Sequence, residues 1–346
     1  MWVYEFFHVI IGILWIGLLY FFNLVQVQSM PKMVEAGAAK PYTQIILPKA
    51  LFLFRHAALW TVITGIAYYI AGRGVVQGIP SGEIMIGMLL GIIMAGNIPL
   101  VGFHDYVCCY ITGYKTKIKL SSDDDKLFPA ILNVLNHFDN AVMERCEVVI
   151  NQLKGVDGII ATGSNNTSRY FEQYFGKYPN IIRKSRTSVA IITGSESEED
   201  LQGLANDVFA FYGLGCRNVT KVFLPKGYDL DNLFKAFFPF QYVSENNKYA
   251  NNYDYHKAVF MMEQYDLLEN GFLIMKEDQS LHSPIGTLYY EYYSDASSIQ
   301  EHLKQLDESI QCVVSKKDIP FGKAQNPELW DYADNIDTME FLLDLK

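Results

Sequence analysis

Apolar residues are unevenly spread along the chain. Residues 1–103 are dominated by Ile, Leu, Phe, Gly, Met and Trp. Residues 3–25 (VYEFFHVIIGILWIGLLYFFNLV) reach the roughly 20 apolar residues that a membrane-spanning helix needs. Residues 50–71 form a second candidate span, and residues 84–103 a weaker third. Beyond residue 94 the pattern changes, and short β-rich runs alternate with helical ones. The strand candidates are 117–120, 158–163, 188–194, 219–225, 271–276, 287–293 and 311–315. The helix candidates are 125–137, 167–175, 197–212, 229–237 and 297–309. This alternation predicts an α/β body with a mostly parallel sheet and helices on both faces, preceded by two to three transmembrane α-helices.

The helix at 197–212 is the clearest. Ser197 is placed to cap it, and Glu198, Glu199 and Asp200 complement its positive N-terminal end. Leu201, Leu204, Ala205, Val208, Phe209 and Tyr212 recur on one face. Gly213-Leu214-Gly215 then stops the helix, and Cys216 follows directly before a strand.

Charge adds an orientation. The loop between the first two spans carries Lys32, Lys40 and Lys49, and the next loop only Arg73. Positive-inside bias therefore predicts a multi-pass membrane protein whose C-terminal domain is cytoplasmic, with the lipid bilayer as a partner. The net charge of −10 lies almost wholly in the C-terminal body and argues against a nucleic-acid partner. Cys108, Cys109, Cys146, Cys216 and Cys312 form no CxxC pair, so neither a zinc site nor a disulfide framework is indicated, and a reducing compartment fits.

Four features carry candidate chemistry. Cys216 sits on a glycine-flanked turn between helix and strand, where a thiol is either presented to a cleft or packed as a small core residue. Thr162-Gly163-Ser164 ends one strand and opens a helix, where small residues let a phosphate approach backbone amides. Lys119 lies at a strand's C-terminal end, where open α/β sheets bind ligands. Asn97, before Ile98-Pro99, offers an amide to an oxyanion. His8 and His56 within the apolar segments carry two readings, haem ligation or ordinary helix contacts.

Two resemblances organise these signals. Residues 8–26, 47–66 and 88–94 resemble the N-terminal membrane domain of the PuuD-type bacterial urate oxidases, although His56 departs from the usual tryptophan. Residues 95–124, 157–194, 211–225, 251–260 and 320–343 together resemble the LuxC-type acyl-CoA reductases of the aldehyde dehydrogenase superfamily. The division expected from these is a transmembrane segment over 1–94 and a reductase-like domain over 95–346. Within the latter, 95–186 binds cofactor, 187–310 is catalytic and 311–346 is C-terminal. Residues 88–96 are claimed by both likenesses, as the end of a third span or the opening of a sheet. The reductase body is N-terminally truncated relative to its family.

The second resemblance implies roles. Cys216 matches the nucleophile, Asn97 the oxyanion-binding asparagine, Lys119 the lysine at the adenosine ribose, and Gly163 and Ser164 the turn at the cofactor pyrophosphate. The hydrolytic members' ELGG glutamate has no counterpart in Arg183-Lys184-Ser185-Arg186, and their ExFGP stretch survives only as Leu281-His282-Ser283-Pro284. The implied activity is NADPH-dependent reduction of a fatty acyl-CoA, or another acyl thioester, to an aldehyde through an acyl-cysteine, in a membrane-tethered enzyme with a homo-oligomeric assembly allowed. The alternatives are a membrane haem or electron-transfer module and an inactive truncated fusion.

Overall fold

The computed structural model describes residues 88–150 and 152–345. These residues divide into two compact units. One comprises Met88, Gly113–Lys115 and Phe128–Glu147, and the other holds the rest. The smaller unit is helical over most of its length. Helix α2 (Leu127–Asn136) buries Phe128, Leu132 and Leu135, and the short α3 (Ala141–Arg145) buries Val142.

The described residues form two sheets. The first has the order β3-β2-β1-β4-β5, with β1 Leu89–Ile93, β2 Lys115–Lys119, β3 Cys146–Val149, β4 Gly158–Thr162 and β5 Asn180–Arg183. Strand β4 runs parallel to both neighbours, with Gly91 opposite Ile159 and Ile160 opposite Ile181. Helix α1 (Phe103–Thr112) follows β1, and α4 (Asn165–Phe175) links β4 to β5.

The second sheet has the order β11-β6-β7-β10-β9-β8. Its strands are β6 Thr187–Ile191, β7 Val219–Pro225, β8 Leu268–Glu269, β9 Ile274–Glu277, β10 Thr287–Tyr293 and β11 Ile310–Val314. All its pairings are parallel except β8 with β9. Helices α5 (Glu198–Phe209), α6 (Asp231–Phe237), α7 (Asn247–Met262), α8 (Ala296–Gln305) and α9 (Thr338–Asp344) complete the unit. Strand β7 shows why helices cover both faces. Val222 and Leu224 pack with Leu204, Phe209, Leu233 and Phe237, while Phe223 between them packs with Val189, Ile299 and Leu303. Neighbouring strand residues point to opposite faces, so an apolar run such as Val222–Leu224 is stable only between two layers.

Helix α5 is fixed at its start as its sequence predicts. Ser197 Oγ accepts the Asp200 N–H, and the Asp200 carboxylate accepts the Ser197 N–H. Its end differs from the prediction: the helix stops at Phe209, and Phe211 and Tyr212 adopt left-handed φ of 51° and 57°.

The membrane reading is corrected. Among the described residues no helix is long and apolar enough to cross a membrane. The described part of the third candidate span, 84–103, contains β1 and a turn before α1, so Leu89–Ile93 belong to a sheet and not to a transmembrane helix. Leu90 and Ile92 are buried within that sheet, which accounts for the apolar run without a bilayer. The expected preceding transmembrane α-helices and the multi-pass membrane location with a cytoplasmic C-terminal domain are therefore not borne out. The candidate spans 3–25 and 50–71, with His8 and His56, lie outside the described residues.

Candidate active site

Cys216 lies in a tight turn between the end of α5 and β7. The Asn218 N–H closes the turn on the Gly215 carbonyl at 3.1 Å. Cys216 is exposed, whereas Cys108, Cys109, Cys146 and Cys312 are buried. Ser188 on β6 donates its hydroxyl to the Cys216 carbonyl at 3.0 Å and lies 3.0 Å from the Cys312 sulfur. The Asn218 side chain accepts the Gly215 N–H and donates to the carbonyls of Asp207, Val208 and Ala210. It thereby terminates α5 before Phe211.

Although Cys216 reaches solvent, the protein crowded around its turn desolvates the sulfur, and this burial pushes the thiol above its ordinary value. Asp334 acts in the same direction. Arg217 opposes both but does not outweigh them. The Arg217 guanidinium is itself engaged, donating to the Ala324 carbonyl at 3.1 Å. Asp334 pairs with Arg186 at 3.4 Å.

Asn97 is brought to this turn from the first sheet. Its side-chain amide donates to the Leu214 carbonyl at 2.7 Å, just upstream of Cys216. A Cβ at Gly215 would come within 3.0 Å of Asn218 Oδ1, so glycine leaves room for the side chain that closes the turn. The turn holding Asn97 is clamped from beyond β2: Leu100, in left-handed conformation, donates its N–H to the Asp124 carboxylate at 2.6 Å. The acidic run 123–125 reads from sequence as a solvated helix start. Asp124 instead supports the Asn97 turn.

Lys119, Thr162, Gly163 and Ser164 gather at the C-terminal edge of the first sheet. The Met94 N–H bonds the Lys119 carbonyl, and Ile93 pairs with Ala161, so the ends of β2, β1 and β4 lie side by side. Lys119 and the 162–164 turn flank β1 from either side, two strand spacings or about 10 Å apart. Ser164 caps α4 by accepting the Thr167 N–H at 3.2 Å. A Cβ at Gly163 would come within 2.9 Å of the Phe171 ring, so glycine seats α4 against the strand end. The first amides of α4, at Asn165 and Asn166, have no helical carbonyl ahead of them and suit a phosphate. Residues that fit a dinucleotide are thus present on this edge.

The Arg183–Arg186 run contributes no carboxylate to the Cys216 turn. Arg183 is buried and donates to the Asp105 carboxylate at 2.5 Å and to Thr338 Oγ1 at 3.0 Å. Lys184 pairs with Glu172, and the Ser185 N–H bonds the Asn165 side chain. Arg186 reaches the Asp307 and Ile310 carbonyls as well as Asp334. The Leu281–Pro284 stretch is tied to the start of β7, where Thr220 Oγ1 donates to the Leu281 carbonyl and the buried Lys221 Nζ donates to Gln279 and Glu291. Burial lowers the His282 imidazole below its ordinary value.

Sequence reasoning missed Asn218, Ser188, Asp124 and Lys221. The usable signal for Asn218 was an amide two residues past the Cys of a Gly-x-Gly-Cys turn, at the mouth of a strand.

The overall fold has counterparts among solved proteins. The aldehyde dehydrogenase of Mycobacterium tuberculosis complexed with NAD+ superposes with a TM-score of 0.54 at 15% identity, covering 74% of this chain and 64% of that one. The Bacillus cereus aldehyde dehydrogenase in its NAD+ complex gives a TM-score of 0.55 at 12% identity, covering 73% and 62%. The NAD-dependent benzaldehyde dehydrogenase of Corynebacterium glutamicum gives 0.53 at 13% identity, covering 76% and 68%. The chain has the aldehyde dehydrogenase fold. It spans less than two thirds of the length of the first two of these enzymes. No family model and no curated protein sequence matches it. The run Leu89–Ile93 is the central strand of the first sheet, and the Asn97 turn follows it.

Proposed function

We propose that the chain is an oxidoreductase that reduces an acyl thioester, of the fatty acyl-CoA class, to an aldehyde with a nicotinamide cofactor, NADPH. The observation that carries this reading is the pairing of an exposed Cys216 with the Asn97 amide held at Leu214, in a site whose Arg183–Arg186 run offers no carboxylate. The named solved structures hold NAD+, which supports a nicotinamide cofactor here. We assign residues 95–186 to cofactor binding, 187–310 to catalysis and 311–346 to the C-terminal part.

In this account the Cys216 thiolate attacks the thioester carbonyl. The oxyanion is met by the Cys216 N–H and by the second hydrogen of the Asn97 amide, whose first is held by Leu214. The carbon–sulfur bond to coenzyme A breaks, its thiolate leaves with a proton from solvent, and an acyl-cysteine remains. A nicotinamide cofactor held along the edge of Lys119 and Thr162–Ser164 would supply the hydride that turns the acyl-cysteine into a thiohemiacetal. That species collapses, the carbon–sulfur bond to Cys216 breaks, and the aldehyde departs. An acyl-enzyme awaiting hydride must be spared from water. The capture of Arg183 by Asp105 and Thr338 leaves no base at that position to activate one. Lys119 would contact the adenosine ribose, and Thr162, Gly163 and Ser164 would line the pyrophosphate at the start of α4.

The raised Cys216 thiol means that the resting enzyme carries mostly protonated sulfur near neutral pH. Reduction is therefore expected to accelerate with rising pH. The test is cofactor oxidation followed by the absorbance of reduced nicotinamide. Consumption of NADPH must require an acyl thioester and vanish in Cys216→Ala. Turnover by Cys216→Ala at the parent rate would overturn the reading.

A further inference from the structure

One side chain closes the turn that carries Cys216. Asn218 is fully buried. Its Oδ1 accepts the Gly215 N–H at 2.8 Å, and its Nδ2 donates to the carbonyls of Asp207 and Val208 at 3.1 Å and of Ala210 at 2.7 Å. An amide has two hydrogens, so three carbonyls share them. The last carbonyls of a helix lack intrahelical donors and are usually met by a glycine cap or by water. At α5 they are met by a residue from beyond the turn.

The consequence falls on Cys216. The Gly215 N–H is taken by the Asn218 side chain, the Gly215 carbonyl by the Asn218 N–H, and the Cys216 carbonyl by Ser188. The peptide groups around the sulfur are thus committed in one arrangement, and the Cys216 N–H is left over. A second brace ties the same parts together. Asp207 accepts the Gly322 and Ala324 N–H groups, and Arg217 donates to the Ala324 carbonyl. The end of α5, the Cys216 turn and residues 322–324 form a closed triangle, and Asn218 is the one side chain in it that touches both α5 and the turn.

We propose that Asn218 is the positioning residue of the Cys216 turn, fixing how the Cys216 N–H and sulfur are presented by fastening Gly215 and the end of α5 to a single buried amide. The proposal rests on Cys216 being the nucleophile. The Cys216 N–H is among the groups that favour its thiolate, so a loosened turn would lose that support.

The experiment needs no substrate. The rate of Cys216 alkylation by iodoacetamide is measured against pH in the parent and in Asn218→Ala, each checked for folding by circular dichroism. The proposal expects the Asn218→Ala profile to move to higher pH, with about tenfold slower alkylation at neutral pH and an unchanged plateau in strong base. A parent-like profile in a folded Asn218→Ala would overturn it. Should that variant not fold, hydrogen exchange of the Gly215 amide in the parent decides. Protection comparable to β7 amides supports the proposal, and exchange at the rate of an open turn overturns it. Failure of the acyl-thioester reading looks different: the parent would not consume NADPH with acyl-CoA, while both of these readouts stood.

Discussion

The side-chain amide of Asn97 donates to the carbonyl of Leu214 at 2.7 Å, which joins the end of β1 in the first sheet to the Cys216 turn in front of the second. This contact orients an amide whose second hydrogen is available to a developing oxyanion. Asn97→Ala is expected to lower kcat about 10²-fold. Asn97→Asp, which keeps the size but loses the donor, should fall as far. Rapid-quench measurement of coenzyme A release would check both, with thermal unfolding to show that the fold is kept.

Arg183 and Asp105 form a buried ion pair that Thr338 completes by bonding to both. Removing one partner leaves the other charge buried. Arg183→Met is expected to cost about 3–5 kcal/mol in urea unfolding, and the double variant with Asp105→Leu should recover much of that loss. A glutamate at Arg183 would place a second carboxylate beside Asp105, so restoring hydrolysis by that single change is expected to fail through misfolding.

Asp207 is buried at the brace to residues 322–324, and burial raises its carboxyl to about 6. A folded-state value above the unfolded one stabilises the fold at low pH, and that contribution is lost as pH rises from about 4 through about 6. The shift corresponds to about 3 kcal/mol. The parent should therefore lose more stability between pH 4.5 and 7 than Asp207→Asn does, by about 2 kcal/mol, the part of the effect that falls above pH 4.5. Urea titrations of both proteins at the two pH values test it.

Gly163 sits where a Cβ would press within 2.9 Å of the Phe171 ring. Gly163→Val should push the start of α4 from the end of β4 and weaken NADPH binding at least about tenfold, since the helix N-terminus would no longer meet the pyrophosphate. Fluorescence titration with NADPH measures this directly, and Cys216 alkylation should be unaffected.

Much of the second sheet was legible in the sequence. β7, β10 and β11 appear as β-branched and aromatic runs bounded by turn residues, and α5 announces itself through Ser197 and its apolar face. β1 was not legible. Leu89–Ile93 is a short apolar run flanked by more apolar residues, and periodicity does not separate a buried strand from a piece of buried helix. Helix α7 was missed because it is rich in Asn and Tyr and buries only Tyr249, Tyr253 and Phe260 over its length. Cys216, Asn97 and the 162–164 turn stand out as candidates from local context together with family likeness. Asn218 and Asp124 were not, because their partners are backbone groups from other elements. Such bonds leave no trace in residue spacing. The Asp105–Arg183 pair was hidden by the same separation, one partner lying on α1 and the other on β5.

The central claim is that Cys216 carries the acyl group and passes it on as an aldehyde. The most direct measurement is peptide-level mass spectrometry of the protein after exposure to acyl-CoA without cofactor, followed by addition of NADPH. The account predicts an acyl adduct on Cys216 alone that is discharged as free aldehyde when NADPH is added. No adduct, an adduct on Cys108, Cys109, Cys146 or Cys312, or discharge as the free acid would contradict it.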